Sequence, residues 1–291
     1  MLLVHAHPDD ETIGTGATMA RYAAEGAHVS LLTCTLGEYG EILVPALREL
    51  EWDKGDQLGG YRIGELRAAL GALGVGDHRF LGGAGRFSDS GMVGMPANQG
   101  RRAFCRASAD AGAFDATVAL VVDVVRTVRP QVVVTYDPDG QYGHPDHIMA
   151  NRVTTAAIAS AADDAYGTAL PPWTVAKFYW TALSAAALRT AMSAPAAARS
   201  GFDVPAEMDY PGALDDASIT TAVDAGAFVL AKGAAMRAHA TQITVRGDFY
   251  ALSNNVGMPL TGVEYFRLAE GRTAGPFDAQ GRETDLFAGV A

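Results

Sequence analysis

Twice in this chain a short apolar run leads straight into a turn built on His, Pro and Asp. Leu2-Leu3-Val4-His5 is followed by Ala6-His7-Pro8-Asp9-Asp10-Glu11. Val132-Val133-Val134-Thr135-Tyr136 is followed by Asp137-Pro138-Asp139-Gly140-Gln141-Tyr142-Gly143-His144-Pro145-Asp146-His147. A buried strand that ends in a stiff turn and then opens a helix is the repeating unit of an α/β fold. Parallel strands need helical crossovers, and their switch point forms a crevice at the strand C-termini.

The rest of the pattern fits that unit. His28–Thr35, His78–Leu81 and Val175–Leu183 read as further strands. Ala17–Ala23, Ile63–Leu73, Ala116–Val128 and His147–Ala162 read as helices, with Gly74 and Pro130 as stops. The expected fold is a Rossmann-like, doubly wound, mostly parallel sheet with a smaller C-terminal cap region. Residues 1–185 would form the catalytic domain with both turns. Residues 186–291 would complete the substrate site, either as a separate part or as one continuous domain. Within the latter, Ala185–Ser200 reads as a helix and then a linker around Pro195, and Phe228–Gln242 as helical. The Gly- and Arg-rich stretch from Gly82 to Ala113 is long enough to be a binding rim or lid.

Composition excludes several partner classes. Asp and Glu number 33 against 22 Lys and Arg, a net charge of -11. Nucleic acid and anionic membrane both require a basic face, so neither is expected as a partner. Two cysteines, Cys34 and Cys105, give no disulfide framework. The opening Met1-Leu2-Leu3-Val4-His5 has neither the basic start nor the long apolar middle of a signal peptide, and no run approaches a membrane span. The expected location is the cytoplasm. Oligomeric state is not readable from the sequence.

The first turn argues against a dinucleotide site, because three consecutive acids would repel a phosphate and Gly14-Thr15-Gly16 comes too late. It suits a cation instead. His7 and Asp10 offer an imidazole nitrogen and a carboxylate oxygen, both ordinary zinc donors, although Asp9 and Asp10 equally suit a helix N-cap. If Val132–Tyr136 is the fourth strand of a 3-2-1-4-5 order, the second turn faces the first and His147 becomes the third ligand. Two histidines and one carboxylate leave positions open for water and substrate. Asp9 is then a free carboxylate able to take a proton from water. His144 suits an oxyanion or leaving-amine partner, Asp146 a group that orients it, and Tyr142 a further oxyanion donor. These are the parts of metal-assisted amide hydrolysis.

The same two turns, Ala6-His7-Pro8-Asp9-Asp10-Glu11 and His144-Pro145-Asp146-His147, resemble the zinc-dependent deacetylases of the PIG-L/LmbE type, which act on N-acetylglucosaminyl conjugates. Thr33–Glu38, Asp56–Leu66, Leu81–Arg86, Val133–Pro138, Lys177–Trp180, Ala238–Gln242 and Leu252–Asn255 extend the resemblance over nearly the whole chain. It narrows within the family to members acting on N-acetylglucosaminyl-inositol, a small pseudodisaccharide. The resemblance implies His7, Asp10 and His147 as ligands of one Zn2+ per chain, with Fe2+ the alternative ion, Asp9 as general base and His144 as acid or electrophile. It further suggests Arg62 and Asp89 as contacts to sugar and inositol hydroxyls, and Glu41 at the site. His5, His28 and His78 read as packed or surface histidines, and His239 as a structural residue at a helix end. The alternatives are a related amidase that cleaves a bulkier acyl group, a non-haem Fe(II) oxygenase using the same triad, and a polyol-binding protein without turnover.

Overall fold

The computed structural model describes residues 1–205 and 210–290. Its centre is a sheet in the order β3-β2-β1-β4-β5-β11-β7. The strands on the parallel side are β1 (Leu2–His5), β2 (Ser30–Thr33), β3 (Asp77–Phe80), β4 (Val132–Thr135) and β5 (Lys177–Ser184). Helix α1 (Asp10–Ala24) follows β1, α2 (Leu58–Leu73) lies between β2 and β3, and α3 (Ala111–Val128) precedes β4. A single distorted turn, α4 (Gly140–Gly143), and the long α5 (Pro145–Ala162) follow β4.

The apolar strands are buried on both faces, as a covered parallel sheet requires. Period-two alternation divides them. Leu2, Val4, Leu32 and Val133 pack into a core under α3 and α5, whereas Leu3, Leu31, Val132 and Val134 pack into a core under α1 and α2. Strand β1 is therefore the switch point. Its own helix covers one face, the helix after β4 covers the other, and the crevice opens at the C-terminal ends of β1 and β4.

The C-terminal region does more than cap this frame. Short α6 (Ala185–Ser193) and α7 (Pro195–Ala198) lead to β6 (Ala213–Leu214), which pairs with β5. Strands β7 (Thr221–Asp224) and β11 (Val263–Glu270) then join the central sheet, β11 running antiparallel to both β5 and β7. Neither strand was expected from the sequence. Each mixes small, polar and apolar residues, so that tertiary pairing rather than local propensity decides. Helix α8 (Val229–Ala238) ends four residues before the expected Gln242. Strands β8 (Thr244–Arg246), β9 (Phe249–Ala251) and β10 (Met258–Pro259) form a separate three-stranded sheet that walls the crevice with Tyr250 and Met258. Among the described residues no helix is long and apolar enough to cross a membrane.

Candidate metal and catalytic site

The first turn holds its acids by backbone and side-chain clamps. Asp9 caps α1 in a strained conformation, φ 118° and ψ −35°. Its carbonyl accepts from Thr12 N and Ile13 N, and its own N–H donates to Glu11 Oε2 at 2.9 Å. Glu11 is in turn held by His239, Nε2 to Oε1 at 2.7 Å, with both side chains fully buried. Buried Arg62 reaches the same turn: it donates to the carbonyls of Pro8 and Gly37, and its Nη2 lies 2.9 Å from Asp9 Oδ2. Gly37, at φ +64°, leaves room for that guanidinium; a Cβ there would collide with it. Burial pushes the Asp9 carboxyl up to about 6, with Arg62 opposing the rise.

Asp10 is oriented differently. Its Oδ2 accepts from the His7 backbone N–H at 2.9 Å and from Tyr136 Oη at 2.6 Å, and His7 Nδ1 is 3.2 Å away. Its Oδ1 faces His147 Nε2 at 3.5 Å. Despite burial, His147 and His7 hold the Asp10 carboxyl well below the usual carboxylate range.

The second turn becomes regular where it opens its helix. His144 is the N-cap of α5 at φ −66° and ψ 127°, with Pro145 at the first helical position. The Asp146 backbone N–H donates to His144 Nδ1 at 3.2 Å, leaving Nε2 as the nitrogen that carries the proton. Burial, together with His7 and His147, pushes His144 down to about 3. A histidine held this low is a neutral donor near neutral pH, the form that the electrophilic one of its two expected roles requires. His147 is 1% exposed, and among the described residues neither of its ring nitrogens has a hydrogen-bond partner. Its ring lies stacked on Tyr136, centroids 3.9 Å apart and planes at 11°. Tyr142, exposed at the mouth, meets it edge-on at 5.2 Å.

Three of the expected site residues have protein partners that the sequence did not indicate. The Asp146 carboxylate does not reach His144. It lies under His7, with Oδ2 3.2 Å from His7 Nε2, and accepts from the Ser90 N–H and hydroxyl. Asp146 orients His144 only through its backbone. Asp89 also faces His7, Oδ1 to Nε2 at 3.5 Å, and accepts from Gly91 N and Tyr39 N. Arg62 is spent on Asp9 and two carbonyls. Both residues still line the crevice, the Asp89 carboxylate and the two Arg62 terminal nitrogens already held by protein partners while Arg62 Nε has none among the described residues. Glu41 is exposed and stands at the rim. Ser90 was not foreseen; its only signal was its place in the long Gly82–Ala113 stretch. His239 was read as answering a helix dipole, yet its partner is Glu11.

His7, His144 and His147 bring ring nitrogens within 4.8 Å of one another, as His7, Asp89 and Asp146 do with their ligand atoms. Two orphaned nitrogens on a buried histidine, beside a carboxylate oxygen turned toward them, are what a cation site needs, since buried polar atoms without partners are costly. The donors are imidazole and carboxylate, so the residues fit a divalent transition metal. The crevice around them measures about 410 Å³ and is walled by Tyr39, Trp52, Gln242, Ser253 and Asn254. That volume suits a small-molecule ligand.

Residues 2–158 match the PIG-L family, described as GlcNAc-PI de-N-acetylase. A 1D-myo-inositol 2-acetamido-2-deoxy-alpha-D-glucopyranoside deacetylase from Geodermatophilus obscurus is 57% identical, over 100% of this chain and 97% of that protein. The protein of the same name from Acidothermus cellulolyticus is 56% identical, over 100% and 94%. Among solved structures, the 4-carboxy-2-hydroxymuconate hydratase GalB of Pseudomonas putida KT2440 superposes with a TM-score of 0.59 over 95% of this chain and 98% of that one, at 18% identity. That likeness concerns the fold alone.

Proposed function

From the premise that the chain belongs to the PIG-L family, we propose that it is a metal-dependent amide hydrolase that deacetylates N-acetylglucosaminyl-inositol to the free amine and acetate, the deacetylation step of mycothiol biosynthesis. The observation that carries the mechanism is Asp9: a carboxylate on the crevice wall, clamped by Arg62, next to a His/His/Asp group whose His147 nitrogens lack partners.

His7, Asp10 and His147 are the proposed ligands, and zinc is the proposed ion, one per chain, with ferrous iron accepted by the same donors. When bound, the ion supplies Lewis acidity to the acetamide carbonyl. Asp9, ionised above a pKa of about 6, takes a proton from the attacking water and delivers one to the departing amine as the C–N bond breaks. His144 points its Nε2–H toward the developing oxyanion, and the Tyr142 hydroxyl is a second donor at the mouth. Asp89 and Asp146 fix the ring of His7 through Nε2, so that Nδ1 is turned to Asp10. The parallel α/β frame is not the β-barrel that the oxygenase alternative requires. Cytoplasmic location is part of the same reading; Cys34 and Cys105 are both free thiols, as in a reducing compartment.

The test is amine release by zinc-loaded enzyme from N-acetylglucosaminyl-inositol, run beside a mycothiol S-conjugate. Preferred turnover of the acetylated pseudodisaccharide is expected. Preferred turnover of the conjugate would transfer the assignment to the amidase, and turnover of neither would end the hydrolase reading.

A further inference from the structure

We infer that Tyr136 is a positioning residue for the metal site, acting on two ligands at once. The inference rests on the proposed ligand set His7, Asp10 and His147. Tyr136 follows β4 directly, is 2% exposed, and lies beneath the crevice floor. Its hydroxyl accepts the Ala6 N–H at 2.7 Å. That leaves its single proton for Asp10 Oδ2, 2.6 Å away. The direction of the bond is therefore fixed: tyrosine donates and the carboxylate accepts. With the His7 backbone N–H on the same oxygen, Oδ2 has two donors, and Oδ1 is the oxygen left facing His147 Nε2.

The ring does the second task. It lies against the imidazole of His147 at 3.9 Å and 11°, which sets the plane in which the His147 nitrogens lie. His147 has no hydrogen bond of its own to hold its ring, so this stack and the edge of Tyr142 replace the usual carboxylate or carbonyl partner of a ligating histidine. Tyr136 is itself anchored: Asn151 Nδ2 donates to its carbonyl at 2.8 Å, and His5 packs edge-on to its ring at 5.3 Å. One side chain thus ties the ends of β1 and β4 to both turns, since Ala6 belongs to the first and Tyr136 directly precedes the second.

Tyr136→Phe separates the two tasks by removing the hydroxyl and keeping the ring. Zinc affinity should fall about 10- to 100-fold by chelator competition, the range for an outer partner of a metal ligand. The visible spectrum of the cobalt-loaded variant should also shift, because the Asp10 carboxylate changes its presentation. Thr135→Val is the structural control. It deletes a buried hydrogen bond, Oγ1 to the Val4 carbonyl at 2.8 Å, one residue away, and touches no ligand. Its zinc affinity and cobalt spectrum should match the parent. Parent-like affinity and spectrum in Tyr136→Phe, or equal losses in both variants, would overturn the inference. Full metal retention by His147→Ala would instead remove the ligand set beneath it, so the two failures are distinguishable.

Discussion

Asp9 and Asp146 occupy the same place in two look-alike turns, each following a histidine and a proline, yet one lines the crevice and the other is sunk beneath it. The backbone makes the difference. Asp9 sits at φ 118° before its helix begins, so its carboxylate swings out to Arg62. Asp146 lies inside the first turn of α5, on regular helical backbone, and points down onto Ser90 and His7. The fourth residue reverses the pattern. Asp10 and His147 both turn inward and approach to 3.5 Å. In the proposed mechanism, two turns with one sequence pattern thus deliver a reactive acid from one side and a supporting acid from the other. At this third position, strain accompanies the carboxylate that faces the crevice and not the one beneath it.

The comparison can be broken most severely at the fourth position. His147→Ala should abolish stoichiometric zinc binding, measured by elemental analysis after dialysis, and activity should go with it. Asp9→Asn tests the third position of the first turn. The metal should remain while kcat/KM falls roughly 10²- to 10⁴-fold, the range for a lost general base. In the parent enzyme the rate should decline as pH drops through about 6, because protonation of Asp9 removes the base. No limb near neutrality should belong to His144, which burial and its two histidine neighbours hold at about 3. A pH profile that is flat from 5 to 7 would refute the assignment of Asp9.

Asp146→Asn tests the matching position in the second turn. Its effect should be smaller, about 10- to 100-fold in zinc affinity by chelator competition, because it acts through the ring of His7. Equal losses in Asp9→Asn and Asp146→Asn, both through metal, would erase the distinction between the turns.

The smallest effect concerns the clamp on the first turn. His239 is raised above 6.5, where burial is outweighed by Glu11, and Glu11 is lowered below 4.5, where burial is outweighed by His239. A raised histidine stabilises fully below its unfolded value and loses that contribution as pH rises through its folded one. A lowered carboxyl stabilises above its unfolded value and loses that contribution as pH falls through its folded one. The stability gap between parent and His239→Gln, from urea denaturation, should therefore be widest between pH 4.5 and 6.5 and narrow on either side. A gap independent of pH would mean that the pair contributes packing rather than charge.

Most of the parallel half was legible in the sequence. Runs such as Val132–Thr135 are buried on both faces, so their composition alone marks them as central strands, and the helices after them carry recognisable stops. The antiparallel half was not legible. Strand β11 pairs with β5 on one side and β7 on the other, and the mixed polar and apolar residues of both added strands do not mark them as the continuous apolar runs mark the parallel ones.

For the site, the sequence by itself determined the inventory: two turns, their order along the chain, and the residue types able to hold a cation and move a proton. Those are local properties of short segments. Only the tertiary structure decided which way each acid faces. Asp146 and Asp89 are drawn under His7, Arg62 is drawn onto Asp9, and Glu11 is tied to a histidine 228 positions away. A buried charge must find its partner in space, and the nearest partner in space is set by the packing of strands and helices rather than by spacing along the chain.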